Sequence, residues 1–218
     1  EMAVRAPDKT AFAVDLDQDA EPGTVWAYNN AAIQTLDAVM QAATGEPTTE
    51  FAQRELLDPI GATSSRIRQD AAGITLTFMG LESSCRDMAR FGHLLANGGS
   101  WDGRQVIPAD YVAEATSPSN DLNDAYGYLT WLNRVGRLAN PVDPMTAETR
   151  DDALEGQMVP GAPEDLFFAL GLGGQVILVS PSTGVVVVRL APVNRTVSST
   201  AGFGPAAMAR VVTEGIVD

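Results

Sequence analysis

The last third of the chain leaves the fewest choices for a fold. Residues 166–170, 175–180 and 185–190 are three short apolar runs, the first aromatic and the other two rich in β-branched side chains, separated by short glycine-bearing connections. Pro181-Ser182-Thr183-Gly184, between the second and third, supplies the fixed φ and the permissive glycine that a tight turn needs. Strands so close in sequence pair as antiparallel neighbours, because a parallel crossover takes a dozen residues or more. Gly204-Pro205 then leads into a closing helix carrying Met208, Val211, Val212 and Ile216. Helical patterns first, then a meander and a last helix, predict an α+β fold rather than alternating βαβ units.

Upstream, apolar spacing places the helices. Ile33, Leu36, Val39 and Met40 recur at helical intervals over 31–43, with Asn29 or Asn30 to cap the start and Gly45 to stop the end. A second helix is predicted over 48–57, closed by Asp58-Pro59-Ile60-Gly61. Ser84 followed by Asp87 matches a capping box and opens a helix through Met88, Phe91, Leu94 and Leu95, ending at Asn97-Gly98-Gly99. Trp101-Asp102-Gly103-Arg104 reads as a turn, and Pro108 as the first turn of a short helix to Ala115. A short strand or an extended arm is expected over 74–78, and a strand over the aromatic run 126–132. The acidic stretch up to Pro22 is expected as loop, and the Pro-, Asp- and Glu-rich residues 139–165 as a long connection.

Charge and a few single residues exclude several functions. Asp and Glu total 28 against 14 Lys and Arg, a formal charge of -14, so a nucleic acid partner would be repelled. No apolar run reaches the length of a membrane span. The one histidine, His93, rules out zinc sites built on two or three histidines, and any Ser-His-Asp triad would have to use it. Its amphipathic surroundings read as the polar face of a helix. The one cysteine, Cys85, cannot form an internal disulfide, leaves the compartment open, and is expected as a small buried helical residue. No metal-ligand cluster is visible, and Gly171, Gly173 and Gly174 precede a strand rather than a helix, so neither a metal nor a cofactor is implied.

Several blocks in fixed order then carry a resemblance. Gly23-x-x-Trp26-x-Tyr28-Asn29-Asn30, Thr44-Gly45-Glu46-Pro47 and Leu57-Asp58-Pro59-Ile60-Gly61-Ala62 come first. Asp87-Met88-Ala89-Arg90-Phe91-Gly92, Leu95-x-Asn97-Gly98-Gly99-x-Trp101-x-Gly103 and Val106-Ile107-Pro108 follow. Ala169-Leu170-Gly171-Leu172-Gly173-Gly174-Gln175 with Val179-x-Pro181 closes the series. From about Gly23 onward the chain resembles the serine β-lactamase and penicillin-binding-protein superfamily, in the branch of class C β-lactamases, family VIII-type esterases and 6-aminohexanoate-dimer hydrolases. The resemblance implies a β-lactamase/transpeptidase-like α+β fold, a helical region plus an antiparallel sheet with a C-terminal helix, incomplete in this chain. Residues 1–218 would then be the C-terminal part of a single hydrolase domain.

The same resemblance implies chemistry. Its nucleophile is the Ser of a Ser-x-x-Lys helix turn, whose spacing lets the amine deprotonate the hydroxyl. Lys9 is the only lysine and Ala6 stands three residues before it, so that segment is expected upstream, as a separate, cleaved or omitted piece of the same protein. Tyr28 matches the tyrosine that shares proton transfer with the lysine, and Asn30 the asparagine that hydrogen-bonds lysine and substrate. Gly171, Leu172 and Gly173 match the third motif, with the Leu172 N–H in the oxyanion hole. Ala169 and Leu170 replace the cation and hydroxyl that hold a penicillin carboxylate, so an ester or amide lacking that carboxylate is the expected small-molecule substrate. Trp131, Tyr126 and Tyr128 are expected to line an acyl pocket or to be core. The function implied is a serine esterase or amidase working through an acyl-enzyme, this chain alone being inactive; a non-catalytic binding or regulatory relative and a true β-lactamase are the alternatives.

Overall fold

Residues 2–191 and 204–215 are described in the computed structural model. Two short helices, α1 (Met2–Arg5) and α2 (Lys9–Val14), occupy part of the stretch expected as loop. The Asp8 carboxylate accepts from Ala11 N–H at 2.7 Å and so satisfies a donor that the first turn of α2 leaves orphaned. At six residues α2 is too short to display an apolar period. β1 (Val25–Trp26) leads into α3 (Asn30–Thr44), which Asn29 caps and Gly45 stops at φ 74°. α4 (Thr48–Ala52) runs on through a π-helical turn at Gln53–Leu57, together filling the helix expected there.

β2 (Arg66–Ile67) and β3 (Leu81–Glu82) pair with each other, and of the two forms expected over 74–78 the extended arm is the one found. That segment is an arm with one bridge, Gln69 to Thr75, and several of its other backbone groups bond to side chains, Ile74 N–H to Asp70 among them. The Gln34 amide donates to Thr75 O at 2.8 Å and accepts from Thr77 N–H at 3.2 Å, taking the place of a neighbouring strand. α5 (Cys85–Ala96) starts where Ser84 Oγ accepts from Asp87 N–H, and β4 (Ser100–Trp101) and β5 (Arg104–Gln105) flank the expected turn. Cys85 is exposed as the first residue of α5, which corrects the buried placement expected for it. His93 lies on the exposed face of α5, edge-on to Trp101 at 5.6 Å.

α6 (Ala109–Ala115) follows Pro108. The strand expected over 126–132 shrinks to β6 (Trp131–Leu132), because Tyr126 bridges back to Trp131 around a turn with Leu129 at φ 57°. The connection over 139–165 contains its own pairings. β7 (Gly136–Leu138) pairs with β9 (Leu154–Gly156), while β8 (Met145–Thr146) pairs with β1. β10 (Phe167–Gly171), β11 (Gln175–Ser180) and β12 (Val185–Arg189) form the expected meander, and α7 (Pro205–Gly215) the closing helix. Ile216 lies outside the described residues.

The main sheet has the order β12-β11-β10-β6, with every pair antiparallel. Period-2 alternation sends Phe167, Ala169, Ile177 and Val179 to one face, under Met88, Phe91 and Leu95 of α5. Phe168, Leu170, Val176 and Leu178 go to the other, against Trp26, Trp131 and Met208 of α7. Burying each such side chain contributes about 1.5–3 kcal/mol. α5 sits close because of Gly92, where a Cβ would lie 2.5 Å from Val186 Cγ1 and 3.0 Å from Ile177 Cγ2. Among the described residues β12 has no strand on its outer side.

Candidate active site

The residues singled out by resemblance gather at the β6 end of the main sheet. β1 pairs with β8 and thereby fixes Trp26, which is buried and meets Tyr126 edge-on at 5.5 Å and Trp131 at 6.2 Å. Two residues on, Tyr28 emerges from this cluster 39% exposed, its ring stacked on Trp131 at 6.1 Å and 19°. Its other neighbour is Tyr126, edge-on at 6.2 Å. Burial, with a smaller contribution from the nearby Tyr28, pushes the Tyr126 hydroxyl up to about 12, so it stays protonated and serves as packing. Tyr28 is the solvent-facing phenol of the group.

Asn29 and Asn30 divide their labour. Asn29 Oδ1 accepts from Ala31 N–H at 2.9 Å and Ala32 N–H at 3.3 Å, so the cap belongs to it. Asn30 is the first residue of α3 and is exposed, and its amide makes no hydrogen bond to the described residues. That leaves two donors and an acceptor of Asn30 beside Tyr28.

Trp131 links this pair to the third motif. It sits opposite Phe168 and Leu132 opposite Phe167, and there β6 ends. β10 continues to Gly171, so residues 169–171 present an unpaired edge just past the Tyr28–Trp131 stack. Leu170 packs into the same cluster as Trp131. Beyond the edge the chain turns, with Gly174 N–H donating to Gly171 O at 3.2 Å and positive φ at Gly173 and Gly174. Leu172 is 79% exposed, and neither its N–H nor that of Gly173 has a backbone partner among the described residues. Tyr28 and Trp131 are thus in contact, Asn30 follows Tyr28 by two residues along the chain, and Gly171, Leu172 and Gly173 are connected to them through β10 rather than by direct contact.

Other expectations fare differently. Tyr128 does not share a pocket with Tyr126 and Trp131: it donates to the Glu114 carboxylate at 2.6 Å, a bond that raises its pKa, and its ring tilts against Tyr111. His93 contacts Asn97 and Trp101, away from Tyr28. No cluster of three or more His, Cys, Asp or Glu side chains able to hold a metal occurs among the described residues. No helix there is long and apolar enough to cross a membrane. Sequence reading missed Arg189, whose guanidinium would lie about 3.5 Å from a Cβ at Gly174. A cationic group therefore reaches the turn from β12 rather than from β10, and only the register of the meander reveals it.

Comparison with known families decides the relationship. The β-lactamase family model matches residues 3–207. The chain belongs to the β-lactamase family. Solved structures agree on the fold of this family member. A Bacillus anthracis protein assigned as a 6-aminohexanoate-dimer hydrolase is 24% identical over 81% of this chain and 40% of its own, with a TM-score of 0.62. A Bacteroides dorei protein assigned as a β-lactamase is 17% identical over 94% of this chain and 63% of its own, at a TM-score of 0.65. A Mycobacterium bovis β-lactamase is 19% identical over 78% of this chain and 57% of its own, at a TM-score of 0.55. The family member described here spans 40 to 63% of the length of these structures, and no curated protein matches it. Its fold is α+β and β-lactamase/transpeptidase-like, within the serine β-lactamase and penicillin-binding-protein superfamily.

Proposed function

We propose that residues 1–218 are the C-terminal part of one serine hydrolase domain that cleaves an ester or amide through an acyl-enzyme, with the nucleophilic Ser and its Lys on an upstream segment. The observation that carries this reading is the half-exposed Tyr28 stacked on Trp131, where β6 ends and the edge of residues 169–171 opens. In the reaction, the serine Oγ attacks the carbonyl carbon while its proton passes to the Tyr28–lysine pair, and that proton leaves on the departing alcohol or amine. Leu172 N–H stabilises the oxyanion and Asn30 orients the lysine and the substrate amide. Water then hydrolyses the acyl-serine by the same proton route in reverse. The outer edge of β12 is the place for the upstream segment to add a strand, and its Val185-Val186-Val187-Val188 run suits a covered position.

A β-lactam carrying a carboxylate is the second candidate substrate, and the Arg189 guanidinium beside Gly174 is the observation on its side. The test is acylation of the full-length protein by p-nitrophenyl acetate and by benzylpenicillin, read by intact mass and by turnover. Tyr28→Phe should lower kcat on the accepted substrate by about 10²–10⁴-fold, the usual contribution of a positioned proton-transfer group. Full activity of that variant, or no covalent adduct from either compound, would sink the proposal and leave a binding or regulatory relative.

A further inference from the structure

On the face of the main sheet opposite Tyr28 lies a cavity of about 280 Å³. Phe91 and Leu95 of α5, Val112 of α6, Phe167 and Ile177 of the sheet, and Leu129 line it. Of the four hydroxyl side chains that line it, Tyr111, Thr116, Tyr128 and Thr130, three are already committed. Thr116 Oγ1 donates to Val112 O at 2.8 Å, and Thr130 Oγ1 to Ala115 O at 2.5 Å, while at the rim Tyr128 is held by Glu114. A charged group placed here would find no counter-charge, and the half-exposed Tyr111 carries the one hydroxyl left over, so the cavity selects a largely apolar, uncharged occupant.

Two further features set it apart from a packing defect. Its outer wall, the turn 127–130, is fastened to the end of α6, where Ala115 O accepts from both Tyr128 N–H at 3.0 Å and Thr130 Oγ1. That anchored turn holds Leu129 in the left-handed region at φ 57°, 48% exposed at the cavity. Leucine is disfavoured in this conformation, and strained residues of this sort concentrate at ligand clamps. The cavity also adjoins the candidate active site. Ala169, the first residue of β10 past the end of β6, contributes to its lining while its backbone edge is open. An extended ligand laid along residues 169–171 projects successive substituents to opposite faces, one toward Tyr28 and the next into the cavity.

We propose that this cavity binds an unbranched acyl or alkyl chain, the part of the substrate remote from the reacting carbonyl, clamped by Leu129. Its use in turnover rests on the hydrolase reading above; binding of the chain does not. An engineered cavity of about 150 Å³ takes benzene, so this one accommodates about ten carbons. The test compares p-nitrophenyl acetate with p-nitrophenyl octanoate on the full-length protein and measures 1-octanol binding by calorimetry. Val112→Phe, which fills the cavity, should lower kcat/KM for octanoate by about tenfold or more while acetate stays unchanged, and should weaken octanol to the same degree. Leu129→Gly should weaken octanol and yet raise Tm, because glycine adopts the left-handed conformation without strain.

Equal losses on both esters would overturn the proposal. So would unchanged octanol affinity in the two variants, or no octanol binding to the wild type. If neither ester is turned over, the hydrolase reading fails and the octanol measurements alone decide the cavity.

Discussion

α3 and α5 are helices of comparable length, both marked in the sequence by apolar residues at helical spacing, and each buries an aspartate, but only α5 also buries an apolar side chain completely. α5 turns Met88, Phe91 and Leu95 to the sheet and seats Leu94, with no exposed surface, among Leu57, Ile60 and Ala62. α3 buries Gln34 and Asp37 completely and leaves Leu36 40% and Val39 58% exposed. The difference lies in what each neighbour offers. The sheet presents α5 with side chains whose backbone is already paired. The arm over 74–78 presents α3 with an unpaired carbonyl and N–H, which only a side-chain amide such as Gln34 satisfies. An apolar period reports that a helix exists; the hydrogen-bond needs of its neighbours decide which face goes inside.

The comparison breaks most sharply in the two fully buried positions. Leu94→Ala should destabilise by about 2–5 kcal/mol, the range for a truncated core leucine. Gln34→Leu, although it adds apolar volume, should also destabilise, by about 1–3 kcal/mol for each backbone group left unpaired. Chemical denaturation reads both, and a Gln34→Leu protein as stable as wild type would show that the polar seat of α3 is not what holds it.

The two helices also differ in their buried aspartates. On α3, Asp37 Oδ2 accepts from Thr10 and Gln41 while Oδ1 has no partner among the described residues. On α5, burial pushes Asp87 up, but bonds from Ser64 N–H, Ser65 Oγ and the Arg90 guanidinium outweigh it and hold the carboxyl below its usual range. A depressed folded pKa contributes stability that is fully present above the unfolded value, about 3.9, and is lost as pH falls through the folded one. Asp87→Asn should therefore flatten the acid limb of a stability–pH curve, and an unaltered limb would refute this account of α5.

The smallest effect belongs to the outward face of α3. Leu36→Ser and Val39→Ser should change the stability of this chain by no more than about 0.5 kcal/mol, as exposed substitutions do. A larger loss in a longer form of the protein would identify that face as covered there.

What the sequence discloses follows the same division. The meander and α5 are legible because each buries apolar side chains against apolar side chains, and the pattern states its own partner. The arm over 74–78 is legible only as a strand or an extended stretch, and its partner is not, because that partner is the side chain of Gln34, which carries no period. α2 escapes notice because a single cap, Asp8, makes a helix too short to repeat. Cys85 reads as buried from its residue type, whereas its place one residue after the cap puts it at the exposed start of α5. At the candidate site, Tyr28 and Asn30 stand in a recognisable block. The Trp131 stack, the early end of β6 and the approach of Arg189 to Gly174 arise from pairings between distant segments, which composition and spacing do not record.

Among the described residues no strand covers the outer side of β12, and this bears on how the protein is made. Four consecutive valines whose outer edge meets no strand among the described residues are a template on which identical strands stack, and the one charge in β12, Arg189, comes only after them. During synthesis, whatever shields that edge must arrive before a second copy does. Concentration and the order of assembly, more than the depth of the core, should therefore govern how much of the chain is recovered soluble.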